Sequence, residues 1–188
     1  MGLFDIFKKE KSFENKTERT IIQDDVFGKL ENEKNYGFYG KVKLNFFETE
    51  YDVKICINSS SNKIEEIQYE SFKAFIQKFK LIEEDIIIKL LQYYNGGEGV
   101  LAEKYAYGPE DEEENKTWWP DINTKEDMIK NIHFDSIIIQ EGFLLNNERR
   151  IYILFNRDWG GPDNDDNGVA VEIINEKVTG VGYKDIAY

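Results

Sequence analysis

The chain has one cysteine, one histidine and three prolines among its 188 residues, and each scarcity excludes something. With Cys56 alone, no intrachain disulfide can form, and nothing in the cysteine usage points to an oxidising compartment, so a cytoplasmic location is expected. With His133 alone, multi-histidine metal centres are excluded, and any Cys–His or Ser–His nucleophile would depend on that one residue. No stretch approaches the roughly 20 apolar residues needed to cross a bilayer. The opening Met1-Gly-Leu-Phe-Asp-Ile-Phe-Lys-Lys9 sets its apolar residues before its lysines, the reverse of a secretory leader. Ile6 stands where a myristoylation motif at Gly2 would need Ser or Thr. Basic residues are also few, 24 Lys and Arg against 37 Asp and Glu, for a net charge of −13. That sign repels a phosphate backbone or an anionic lipid surface, so neither nucleic acid nor membrane is an expected partner.

What is present suffices for a folded core. Hydrophobic residues make up 40% of the chain and aromatics 14%, beneath a surface rich in charge. A chain of this length buries about 70% of the surface its unfolded form exposes, without disulfide or metal. The negative field fits two readings, solubility alone or recognition of a basic protein, whose encounter it would accelerate.

Periodicity divides the chain. Residues 1–24 combine Leu3, Phe4, Ile6 and Phe7 with a charge-rich stretch of no sustained period, and read as a mobile N-terminal segment before a single domain over 25–188. Alternation then predicts three strands near 26–31, 38–47 and 51–57, with Val42, Leu44 and Phe46 opposing Lys41, Lys43 and Asn45. Asn62 with Glu65 reads as a helix cap, and apolar spacing from Ile64 to Tyr94 predicts one helix or two before Asn95-Gly96-Gly97. Residues 96–123 read as a long acidic loop carrying Trp118 and Trp119. Thr124 with Asp127 caps a short helix to about Ile132. Four strands follow, at 134–145, 149–156, 168–174 and 177–183. The expected class is α+β, with antiparallel sheet or sheets from an N-terminal three-strand and a C-terminal four-strand meander, packed by the central helical segment.

Chemical motifs are sparse, and no cofactor is expected. Neither a dinucleotide-binding fingerprint nor a phosphate loop occurs, and no nucleophile motif accompanies His133 or Cys56. Asp163, Asp165 and Asn167 followed by Gly168 resemble the start of a calcium loop, but the twelfth position would be Ile174 rather than Glu, which excludes a complete EF-hand and leaves a weak calcium site or an acidic turn. Carboxylates near tryptophan, Asp121, Asp158 and Glu112 to Glu114, admit a cryptic hydrolase as a third reading.

Asp25-Val-Phe-Gly-Lys-Leu30 with its Tyr/Gly-rich turn, Asp158-Trp159, Gly168-Val-Ala-Val171 and Val181-Gly-Tyr-Lys-Asp185 resemble a bacterial family of unknown function, some members of which resemble immunity proteins of toxin systems. The net charge, the absence of catalytic motifs and this resemblance together point to a non-catalytic binding protein, with neutralisation of a cationic toxin or other basic protein as its specific form. The alternative is an intracellular domain binding a small ligand or calcium. Trp118, Trp119 and Trp159 with Asp121 and Asp158 are the expected partner-binding surface, because tryptophan concentrates at interface hot spots and acidic neighbours select a basic partner. The competing role for these tryptophans is to cap the core.

Overall fold

The computed structural model describes residues 19–34, 36–96, 100–142, 148–161 and 168–188. Eight strands run β1 (Arg19–Asp24), β2 (Gly28–Glu33), β3 (Gly37–Phe46), β4 (Thr49–Asn58), β5 (Ile132–Ile139), β6 (Arg150–Arg157), β7 (Val169–Ile174) and β8 (Lys177–Tyr183). They form one sheet in sequence order, not two separate meanders. Every neighbouring pair is antiparallel except β4 and β5, which are parallel and fuse the two strand groups. A parallel pair needs a long crossover. Here that crossover holds the four α-helices of the described residues: α1 (Glu66–Asn95), α2 (Val100–Tyr107), α3 (Glu112–Trp118) and α4 (Lys125–Lys130).

Three expectations need correction. Residues 19–24, read as part of a mobile N-terminal segment, form the edge strand β1, paired to β2 from Arg19↔Glu33 to Asp24↔Gly28; residues 1–18 lie outside the description. The region read as a loop over 96–123 contains α2 and α3. The helical segment is one helix of 30 residues, and its N-cap is Glu65 rather than Asn62, with Gln68 Oε1 accepting from Glu65 N at 3.0 Å.

Helix α1 covers one face of the sheet because its apolar positions recur with helical period. Phe72, Phe75, Phe79, Ile82, Ile86 and Leu90 are buried against Val53, Ile55 and Ile57 of β4, Ile137 and Ile139 of β5, Ile153 and Phe155 of β6, and Val171 of β7. At the parallel junction the fully buried Gln68 donates from Nε2 to Asn58 O at 2.8 Å and to Ile139 O at 3.4 Å, tying the helix start to the ends of both parallel strands. Two hairpin turns, Phe47–Glu48 and Asn175–Glu176, have positive φ at both central residues, the type I′ geometry that matches strand twist. Each is pinned to α1, the first through Glu83 Oε2 accepting from Phe47 N at 3.2 Å, the second through Lys78 donating to Glu176 at 3.0 Å.

The opposite face carries charge pairs such as Lys43–Glu50 at 2.5 Å and Lys54–Asp135 at 3.2 Å. A small apolar cluster there, with Ile138, Leu154 and Ala170, lies under the C-terminal 3-10 turn Lys184–Ala187, whose Ala187 is buried in it. Gln140 Nε2 donates to Ala187 O at 2.7 Å and Lys184 Nζ to Asp135 at 3.0 Å, so the turn is fastened at both ends.

Candidate functional site

Trp118, Trp119 and Trp159, with Asp121 and Asp158 beside them, come together where β6 ends and α3 arrives. Trp159 is fully buried and Trp119 is 3% exposed, whereas Trp118 is half-buried. Two of the three indoles are therefore core, and they hold the site in place rather than face outward. Trp159 meets Tyr94 of α1 edge-on, with ring centroids 5.1 Å apart, and lies 5.7 Å from the guanidinium of Arg157. That guanidinium also stands 5.7 Å from the Tyr183 ring and pairs with Glu103 of α2 at 3.2 Å, so a buried cation between two aromatics latches α2 to the sheet.

Trp118 connects α3 to the turn after β6. Its carbonyl accepts from Gly160 N at 2.8 Å, and its ring lies against Gly161. Trp119 N donates to Asn115 O at 2.8 Å and ends the helix. At the other end of α3, Asp111 is the N-cap and accepts from Glu113 N at 3.1 Å and Glu114 N at 2.9 Å. No residue of α3 is buried. Glu110, Glu112, Glu113 and Glu114 are exposed, and among the described residues their side chains make no ion pair or hydrogen bond. First-turn carboxylates are favoured by the helix dipole. That accounts for a helix starting here, but adjacent like charges still repel, and no cation among the described residues forms an ion pair with them.

The two aspartates differ. Asp121 is exposed and borders a cleft of about 130 Å³ with Tyr94, Lys104 and Trp119. Burial pushes the Tyr94 phenol up to about 12, and the Asp121 carboxylate adds to the shift while Arg157 opposes it. Asp158 is instead engaged: both its oxygens lie 2.8 Å from His133 Nε2, and its N–H donates to Asn131 O at 3.0 Å. His133 is on the surface in this pair. Burial raises the Cys56 thiol to about 11, so it is protonated at neutral pH and is a poor nucleophile.

Asp163, Asp165 and Asn167 lie outside the described residues. Among the described residues no group of three or more His, Cys, Asp or Glu side chains converges as a metal site would need, and no helix is long and apolar enough to cross a membrane. Sequence reading missed Tyr94, which looked like the last member of the α1 apolar stripe. It also missed Lys104 and Arg157, whose roles depend on which elements meet at this end of the sheet.

No curated protein and no solved structure matches the chain. A family model does, over residues 26–188, from within the β1–β2 turn to the last residue. The chain therefore belongs to the family described as domain of unknown function DUF6985.

Proposed function

We propose that the chain is a non-catalytic, cytoplasmic binding protein that offers an acidic surface to a basic protein partner, in its specific form an immunity protein that neutralises a cationic toxin. One observation carries the reading. Five consecutive acidic residues, Glu110 to Glu114, stand on and just before a surface helix with no buried residue, and the helix is anchored by Trp118 and Trp119 at its other end. A rigid anchor under an unneutralised charged ridge suits recognition, since little ordering cost remains to be met on binding. Charge of one sign raises the encounter rate with a partner of the other and rejects acidic competitors.

The tryptophans thus support the surface more than they form it, with Trp118, Asp121 and the acidic run as the part a partner would touch. The non-catalytic reading is supported by the chemistry of the two candidate nucleophile groups. Cys56 holds its proton, and His133 is bound to Asp158 with no serine, threonine or cysteine hydrogen-bonded to either among the described residues. The experiment is co-expression with the product of the neighbouring reading frame, followed by size-exclusion chromatography and a growth assay. A basic product that co-elutes with the chain and is toxic without it supports the reading. A neighbouring product that neither binds nor harms the cell removes the immunity form of it.

A further inference from the structure

The two edges of the sheet are built differently. Among the described residues, β1 and β8 each pair with a strand on one side only. β8 is blunted in ways that natural edges use against further pairing: its ladder with β7 shifts register between Glu172 and Ile173, it begins at Lys177, and Gly180 and Gly182 interrupt it. β1 has none of these devices. Its six residues, Arg19-Thr-Ile-Ile-Gln-Asp24, pair with β2 without a break and include no lysine, proline or glycine. Because the hydrogen-bonding groups of a strand alternate in direction, about three of the six turn their N–H and C=O away from β2. Ile21 on this edge is 66% exposed, although the residue opposite it on β2 is Glu31.

Charge decides what fits there. The chain carries a net charge of −13, but β1 holds one cation and one anion, Arg19 and Asp24, so two copies can meet at this edge without local repulsion. A two-fold axis normal to the sheet makes two β1 strands antiparallel and keeps both α1 helices on one side. Since side chains alternate between faces, such a register is centred on a single residue. Centred on Ile22, it sets Ile22 against Ile22, Ile21 against Gln23 and Thr20 against Asp24, and it brings Arg19 of each copy beside Asp25 of the other. Asp25 is exposed, and Arg19, although paired with Glu33 at 3.2 Å, keeps 62% of its side chain exposed. Centring the pair on Ile21 or Gln23 instead loses both ion pairs.

We propose that β1 is a self-docking edge, where two copies join through antiparallel β1 strands centred on Ile22 into one continuous sheet, with an Arg19–Asp25 ion pair at each end of the seam. The contact is closed, because it consumes the unprotected edge of each copy and β8 is blunted. It uses no residue of the α3 ridge, so it stands or falls apart from the basic-partner reading.

The test is sedimentation velocity of the full-length chain from micromolar to millimolar concentration, with amide hydrogen exchange at both extremes. The mass should rise from one chain toward two, and exchange of residues 19–24 should slow as the dimer fills. Ile21→Lys places on an exposed position the residue that natural edges use against pairing, so it should weaken dimerisation about tenfold or more while melting as wild type does when both are dilute. Arg19→Asp and Asp25→Arg should each stay monomeric where wild type dimerises, because each sets like charges together at both ends of the seam. Mixed in equal amounts they should dimerise, since both ends then join opposite charges. A monomer throughout the range, including one whose β1 amides are already protected by another segment of the chain, would overturn the proposal. So would a wild-type dimer that Ile21→Lys leaves intact, or charge variants that associate no better mixed than alone.

Discussion

Gly161 sits beneath the ring of Trp118 with φ +85°, and a Cβ there would stand 2.4 Å from the indole Cε3. The contact joins the turn after β6 to the end of α3 and so fixes the acidic helix on the sheet. Gly161→Ala should destabilise the protein by about 1–3 kcal/mol, combining backbone strain with the clash. In a Trp118→Ala background the clash disappears, and the cost of Gly161→Ala should shrink to the backbone part. Chemical denaturation of the four proteins in this cycle measures the coupling. Equal costs in both backgrounds would mean that the ring and the glycine do not act on each other.

The three tryptophans should separate by burial. Trp159→Ala and Trp119→Ala should each cost about 3–5 kcal/mol, the range for deleting a buried large aromatic. Trp118→Ala, from a half-buried position, should cost clearly less. Urea unfolding of each variant decides the matter, and a Trp159→Ala protein as stable as wild type would contradict its placement in the core.

Acid sensitivity should involve Glu176. Arg149 holds its carboxyl below the usual carboxylate range, with Lys78 adding to the effect, through contacts of 2.7 Å and 3.0 Å. A depressed folded-state value means the stabilisation is present above the unfolded carboxylate's pKa and is lost as pH falls through the lower, folded-state one. The melting temperature of wild type should therefore drop below about pH 5 by more than that of Glu176→Gln, with the gap narrowing toward pH 3. Parallel pH profiles for the two proteins would assign the acid response elsewhere.

Much of the fold is written in the sequence, and the exceptions have physical causes. Strands β3 and β4 and helix α1 could be read because each buries one side of a regular period, and β6 and β7 because they are short apolar runs buried on both faces. β1 could not: it is an edge strand whose Arg19, Thr20 and Ile21 are all exposed, so no alternation distinguishes it from linker. α3 escaped because a helix with no buried residue has no apolar period. The single sheet depends on β4 pairing with β5 across 74 residues, counted from Asn58 to Ile132, and no local pattern encodes that pairing. At the site, Trp118 and Trp119 are adjacent in the chain but differ in burial, because α3 ends between them and turns one ring inward.

Asp24 gives β1 a testable role. Its Oδ1 accepts from Val26 N at 2.8 Å and Phe27 N at 2.9 Å, and its Oδ2 accepts from Tyr69 OH of α1 at 2.7 Å. Asp24→Ala should lower stability by about 1–3 kcal/mol, and starting the chain at Asp25 should lower the melting temperature further, because the exposed part of β1 is lost as well. A chain beginning at Asp25 that melts with the full-length protein would show that the strand adds nothing to the fold.

The central claim is that the Glu110 to Glu114 ridge recognises a basic protein. The most direct measurement is the association rate and affinity of the basic partner for wild type and for the triple variant Glu112→Gln, Glu113→Gln, Glu114→Gln, by surface plasmon resonance at low and physiological salt. The substitutions remove charge from exposed side chains that make no ion pair or hydrogen bond among the described residues, so the melting temperature should change little. Association should slow by about tenfold or more at low salt, and the salt dependence of the rate should flatten. A folded triple variant that binds the partner as fast and as tightly as wild type at both salt concentrations would contradict the account.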